Sequence, residues 1–252
     1  MPYVGFGLHF VIALYFAVHA VRSGQDRYWL MVLFMFPLLG SVVYAVAIWL
    51  PAARHDPRGR KLVRGVRAKL DPHRELRQAQ DAFDGSASTS NRLRLADALL
   101  EAGRAGDAVE HFHASLRGIH SDDADIQVRL AQALLESGQA GAARELLDAV
   151  IQRNPDFRSE HGHLVYARAV DAEGNRAKAR EEFETLVGYS TSYEVKAAYA
   201  EALHGWGEHA RAVELCGEAL TQARRLPGYS RKLNAGAIDR IKRVSALLAK
   251  AR

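Results

Sequence analysis

Four times between residues 103 and 216 the chain sets a glycine, an alanine five residues on, and an apolar side chain four further. No other feature restricts the fold as much. The glycines are Gly103, Gly138, Gly174 and Gly207, separated by 35, 36 and 33 residues. The alanines are Ala108, Ala143, Ala179 and Ala212, and the apolar residues are Phe112, Leu147, Phe183 and Cys216. At a fixed distance before each glycine stand Leu95-Ala96, Leu130-Ala131, Tyr166-Ala167 and Tyr199-Ala200, followed by Leu99, Leu134, Val170 and Leu203. Positions three and four apart share a helical face, and a small residue on that face lets two antiparallel helices cross closely. Glycine accepts the left-handed backbone that ends a helix without a Cβ clash. A period near 34 residues with these contents predicts stacked helix pairs, an all-α solenoid of about four pairs.

A stack of helix pairs needs a cap at each end, because a terminal pair otherwise leaves an apolar face in water. The solenoid is expected over 71–252. Asp71-Pro72 reads as a helix start, and Leu76, Ala79 and Phe83 form a stripe on an opening cap helix over 72–84. Ile238, Ile241, Val244 or Ser245, and Leu248 form the matching stripe of a closing helix over 233–250, with Arg240, Lys242, Arg243 and Lys250 mostly off it.

Ahead of the repeats the chain is apolar. Residues 4–21 and 28–50 contain no Asp, Glu, Lys or Arg. As continuous helices they would be about 27 and 35 Å long, against roughly 30 Å of hydrocarbon. The expectation is a transmembrane helical hairpin over residues 1–50 with a short turn at 22–27. Val18-His19-Ala20 has the look of a signal-peptide cleavage site, but no positive charge precedes the apolar run. Two Arg lie in the turn, whereas Arg54, Arg58, Arg60, Lys61, Arg64, Arg67 and Lys69 follow the second stretch. That asymmetry predicts a multi-pass protein of the cell (inner) membrane with its repeats in the cytoplasm. The same seven residues make 51–70 a basic juxtamembrane linker suited to an anionic leaflet. Ala13, Ala17, Ser41 and Ala45 are small residues four apart, a spacing through which the hairpin or a second copy can pack.

Charge is unevenly placed within the total of +5: the net is −10 over 78–223, +6 over 51–77 and +8 over 224–252. An acidic repeat array repels phosphate, so nucleic acid is not an expected partner. The single cysteine, Cys216, excludes an internal disulfide and fits the core of the fourth pair.

The array resembles the tetratricopeptide repeat family over about Ser90 to Arg224, most specifically in the second copy, which ends in Asn154-Pro155 where the family places proline. Copies one, three and four have His120, Thr191 and Arg224 there, and the family's early tryptophan is replaced by Arg92, Gln127, His163 and Lys196. The resemblance implies a binding groove along the first helix of each pair. Its lining would be Leu93, Asp97 and Leu100, then Val128, Gln132 and Leu135, then Leu164, Arg168 and Asp171, then Ala197, Glu201 and His204. Such a groove suits an extended peptide or a helix, but it lacks the Lys/Asn pattern with which some members hold a C-terminal carboxylate. At Trp29, Pro37-Leu38-Leu39-Gly40 and Tyr44 the first 50 residues resemble the N-terminal segment of cardiolipin synthases and related phospholipase D-type proteins. No histidine here has lysine two residues later, so the His-x-Lys-x4-Asp motif of those enzymes is missing.

Phosphate-binding glycine loops, a dinucleotide fingerprint, H-E-x-x-H and G-x-S-x-G are all missing too. His111/His113 and His161/His163 are two apart, so each pair points to different helix faces and makes no metal site by itself. His9 and His19 are expected near membrane interfaces. The sequence therefore implies a non-catalytic scaffold or adaptor without cofactor or metal, binding a protein partner in its groove. A second reading is a non-catalytic accessory of envelope phospholipid metabolism.

Overall fold

The computed structural model describes residues 3–22, 24, 26, 28–49 and 73–250. The chain divides into two compact units, Met1–Arg74 and Glu75–Arg252. The linker cations from Arg54 to Lys69, Asp71-Pro72 and the side chain of His9 lie outside what is described.

The first unit contains α1 (Tyr3–Arg22), α2 (Tyr28–Met35) and α3 (Pro37–Tyr44), the last running into a π-helical turn at Ala45–Trp49. The second apolar stretch is thus not the continuous helix expected over 28–50. Pro37 has no N–H, and its ring disfavours a helical residue before it; Phe36 accordingly takes φ −135° and ψ 74°. Among the described residues no helix is long and apolar enough to cross a membrane, so the expected pair of spanning helices finds no support there.

α1 packs against α2 and α3, burying Ala13, Ala17 and Ala20 with Leu33, Ser41 and Tyr44, while Ala45 is half-buried. Tyr44 shares a hydrogen bond of 3.0 Å with Nδ1 of His19, and the rings of Phe16 and Trp29 stand 5.5 and 5.4 Å from its own. His19 therefore sits half-buried against a buried tyrosine. Gly40 permits the close approach of α2 and α3, because a Cβ there would come within 2.6 Å of the Val32 carbonyl oxygen.

The second unit opens with α4 (Arg74–Gly85), whose Leu76, Ala79 and Phe83 pack on the first pair. Four pairs follow: α5 (Thr89–Glu101) with α6 (Ala105–Ser115), α7 (Ala124–Glu136) with α8 (Ala140–Arg153), α9 (Glu160–Ala172) with α10 (Arg176–Tyr189), and α11 (Tyr193–Trp206) with α12 (His209–Arg225). A short α13 (Gly228–Leu233) precedes α14 (Ala235–Lys250), which packs on α11 and α12 through Ala237, Ile238, Ile241, Val244 and Leu248. No strand occurs among the described residues.

The repeat spacing is explained by the pair geometry. Gly103, Gly138, Gly174 and Gly207 take φ of 76°, 84°, 85° and 80°. In each copy the next residue's N–H then reaches back to the carbonyl of Leu99, Leu134, Val170 or Leu203, at 2.8 to 3.2 Å, closing the helix end in a Schellman pattern. Ala108, Ala143, Ala179 and Ala212 have no exposed surface, as close crossing requires. Each first helix is also capped at its start by a side-chain oxygen, from Ser88, Asp123, Ser159 and Ser192 in turn, always fifteen residues before the glycine.

Candidate functional site: the inner face of the repeats

First helices touch along the stack, α7 with α9 and α9 with α11, more closely than the second helices do. They form the inner layer, and the expected groove residues lie on them. Polar contacts run from each first helix to the next. Asp97 accepts from Arg129 at 3.2 Å, Gln132 and His161 are joined at 2.9 Å, and Asp171 accepts from the Trp206 indole at 2.6 Å. Glu201 then accepts from Arg240 of α14 at 2.9 Å, and Glu194 pairs with the same guanidinium. Exposed ion pairs of this kind contribute little stability, so the ladder chiefly sets which charges remain free.

One that remains free is Arg168. It is half-buried, it forms no ion pair among the described residues, and with Leu135, Asp171, Glu201 and Trp206 it lines a cleft of about 520 Å³. Its charge is felt nearby: withdrawal of water, then Arg168, hold the His161 pKa below the ordinary histidine value. Burial raises Asp97 above the usual carboxylate range despite the opposing pull of Arg129.

Of the residues expected in the groove, Asp97, Leu100, Gln132, Leu135, Arg168, Asp171 and His204 are half-buried and Glu201 is exposed. Leu93 is half-buried against the core of the first helix pair. Val128 and Leu164 are 4 % and 6 % exposed and Ala197 is fully covered, so this position packs into the core instead of lining an open groove. Neighbouring first helices meet there. Sequence reasoning missed Arg129, His161, Glu194 and Trp206. His161 and Glu194 lie thirteen residues before a glycine, so extending the same stripe by one turn would have found them, whereas Arg129, nine before Gly138, is three residues from Gln132 and flanks the stripe.

A second cleft, about 720 Å³, lies beside the start of α9 and is lined by Val128, Ile151, Phe157, Tyr166 and Tyr189 around His163. His163 Nε2 is 2.7 Å from Glu182 and Nδ1 is 3.0 Å from the Tyr189 hydroxyl. Burial works to raise the Glu182 pKa, but hydrogen bonds from Lys178 and His163 outweigh it and hold the carboxyl low. His161 and His163 thus serve opposite faces of one helix.

Residues 99–169 match the family model described as Tetratricopeptide repeat. No curated protein matches the chain. Among solved structures, the chain is similar to a thermophilic TPR protein of Thermus thermophilus, at 20% identity over 65% of this chain and 88% of that one, with a TM-score of 0.51. It is also similar to a tetratricopeptide repeat protein of Parabacteroides merdae, at 15% identity over 97% of this chain and 92% of that one, with a TM-score of 0.54. At these identities the likeness is one of fold. The tetratricopeptide repeat match is confined to residues 99–169, and the second unit around it is folded as an all-α solenoid of stacked helix pairs.

Proposed function

We propose that this chain is a membrane-anchored, non-catalytic scaffold that holds a protein partner along the inner face of its first helices. The repeat fold supports the interaction role, since such arrays present extended surfaces for peptides and helices. The observation that carries the reading is the cleft around Arg168, where a half-buried cation forms no ion pair among the described residues while the carboxylates beside it are already bonded. A partner segment with an acidic side chain next to an apolar one fits that arrangement, its apolar part against Leu135 and Trp206.

The anchor is the first unit. Leu14, Val18, Val21, Met31, Phe34, Leu38, Leu39, Val42 and Val46 are all close to or above half-exposed on it, and apolar surface of that extent calls for a cover. A membrane supplies one, and the seven cations after residue 50 would keep the repeats on the cytoplasmic side. The lipid-accessory reading gains no support of its own from the geometry.

A photoreactive residue placed at Arg168 or Gln132 in the full chain tests the groove. It should crosslink a discrete set of proteins in isolated membranes, and the same probe at Glu181 on α10 should not. Equal yields from both positions would remove the groove as the binding surface.

A further inference from the structure

The far end of the solenoid carries its charge differently from the body. Within the repeats, arginines are largely tied to carboxylates, as in Arg129–Asp97, Arg144–Glu173 and Arg211–Glu184. From Arg224 to Arg252 nine Lys or Arg accompany one acid, Asp239, and that acid already pairs with Lys242 at 2.8 Å. Arg240 is engaged by Glu194 and Glu201, and Arg231 donates to the carbonyls of Arg224 and Leu226 that end α12. Arg224, Arg225 and Lys232 form no ion pair among the described residues.

The same end keeps apolar side chains wet. Tyr229 and Leu233 of α13 are 81% and 74% exposed; being four apart they share a face, with Lys232 beside Tyr229 on it. Next to them, α12, α13 and α14 enclose a cleft of about 830 Å³ with Arg224, Lys232 and Lys242 on its lining. Unpaired cations around an exposed tyrosine and leucine match the two layers of an anionic leaflet. Tyrosine sits at headgroup depth, leucine enters the acyl boundary, and Lys and Arg meet lipid phosphate. A nucleic acid long enough to engage several of these cations would run against the acidic repeats, of net charge −10 over 78–223. A bilayer touches only the end.

We propose that α13 and the adjoining ends of α12 and α14 form a docking surface for an anionic lipid bilayer. This contact goes beyond the groove and beyond the N-terminal anchor, and it depends on neither. Each cation close to an anionic leaflet favours docking on the order of fivefold.

The test uses the full chain with an environment-sensitive fluorophore on Tyr229→Cys and, separately, on Leu233→Cys; the one native cysteine, Cys216, is buried and shielded from label. Vesicles of phosphatidylcholine alone are compared with vesicles that also contain phosphatidylglycerol, and flotation reports total membrane association independently of the label. At both sites the emission should shift to the blue, and brominated acyl chains should quench it, in the anionic vesicles only. Both signals should fade with added salt. Reversing Arg224, Arg225 and Lys232 to Glu should lower the docked fraction on the order of a hundredfold without changing the helical melting curve. Equal emission in the two vesicle types overturns the proposal, as does quenching that survives charge reversal or high salt. A label that responds to polyglutamate or to an oligonucleotide but not to anionic vesicles overturns it as well. Loss of flotation with the label response intact would instead remove the N-terminal anchor.

Discussion

Trp206 donates its indole N–H to Asp171 at 2.6 Å, joining the last turn of α11 to the last turn of α9 across the inner face. The ring also stands 6.3 Å from both Phe183 and Tyr199, so one side chain ties the groove floor to the core of two pairs. Trp206→Phe should keep the ring contacts and leave the half-buried Asp171 carboxylate without its donor. A hydrogen bond to a charged group contributes about 1.5–3 kcal/mol, and chemical denaturation of the full chain should register a loss of that order. Adding Asp171→Asn should recover part of it, because the uncompensated charge is gone. No recovery would mean that indole packing, not the hydrogen bond, carries the contact.

Ala143 lies at the crossing of α7 and α8 with no exposed surface. Ala143→Leu forces methylenes into a close-packed pair and should destabilise the chain by about 1–3 kcal/mol. Neighbouring pairs lose an interface as well, since solenoid stability is a sum over contacts between neighbours. Gln132→Ala on the inner face removes only contacts to Glu136 and His161 that are open to solvent, and should melt within a degree or two of the parent. Identical melting of the two variants would show that inside and outside of the first helices have been exchanged.

The repeat architecture is legible in the sequence because each of its requirements admits few residue types. A left-handed helix end admits little besides glycine, and a close crossing little besides alanine, so Gly138 and Ala143 stand out without any structure. The helix starts are written as plainly, in Ser88, Asp123, Ser159 and Ser192, but short polar residues are common and their fixed distance becomes visible only once the glycines set the register. The site is less legible. Asp97, Arg168, Asp171 and Glu201 fall on the expected stripe, whereas the position of Val128 and Leu164 closes because adjacent first helices meet there, a fact about the stack and not about one helix. No repeat position sets Trp206 apart in the sequence, and only the fold brings its N–H to Asp171. In the first unit a run of apolar residues masks the effect of Pro37, whose break at Phe36 is a backbone constraint that hydropathy does not register.

Gly40 provides a test of that first unit. A methyl group added there would come within 2.6 Å of the Val32 carbonyl oxygen, which belongs to backbone and cannot swing aside. Gly40→Ala should push α3 from α2 and loosen the packing of Tyr44 against Trp29 and Phe16. Tryptic cleavage after Arg22 should then run faster than in the parent, while cleavage within the repeats, which form a separate compact unit, stays unchanged. A parent-like rate after Arg22 would show that the two helices do not rely on this approach.

Orientation is tested by a reporter enzyme that is active only outside the cytoplasm, fused after Arg252. The excess of Lys and Arg after residue 50 over the turn at 22–27 predicts silence. Moving the excess, by replacing Arg58, Arg60, Lys61 and Arg64 with Gln, should raise reporter activity. Strong activity from the unaltered chain would place the repeats on the outer side.

His161 provides a pH-dependent readout of the groove. Its Nε2 lies 2.9 Å from the Gln132 amide oxygen; that oxygen accepts, so Nε2 carries the proton of the neutral ring. Restricted hydration and then the Arg168 cation disfavour the imidazolium, and Glu136 and Glu194 only partly offset them, so the ring titrates below the ordinary value of 6.5. A folded-state value below the unfolded one means that the unfolded chain takes up the proton first. The stability His161 contributes is therefore present above about pH 6.5 and is lost as pH falls through the folded value. Arg168→Met should move the midpoint of the His161 ring resonances upward in a magnetic resonance titration, and stability should fall less steeply on acidification. An acidic peptide bound at Arg168 should move that midpoint in the same direction, because its carboxylate neutralises the cation that depresses it. A midpoint at or above the ordinary value in the free chain, or one indifferent to Arg168→Met, would break the link between these two residues and with it the use of His161 to detect an occupant.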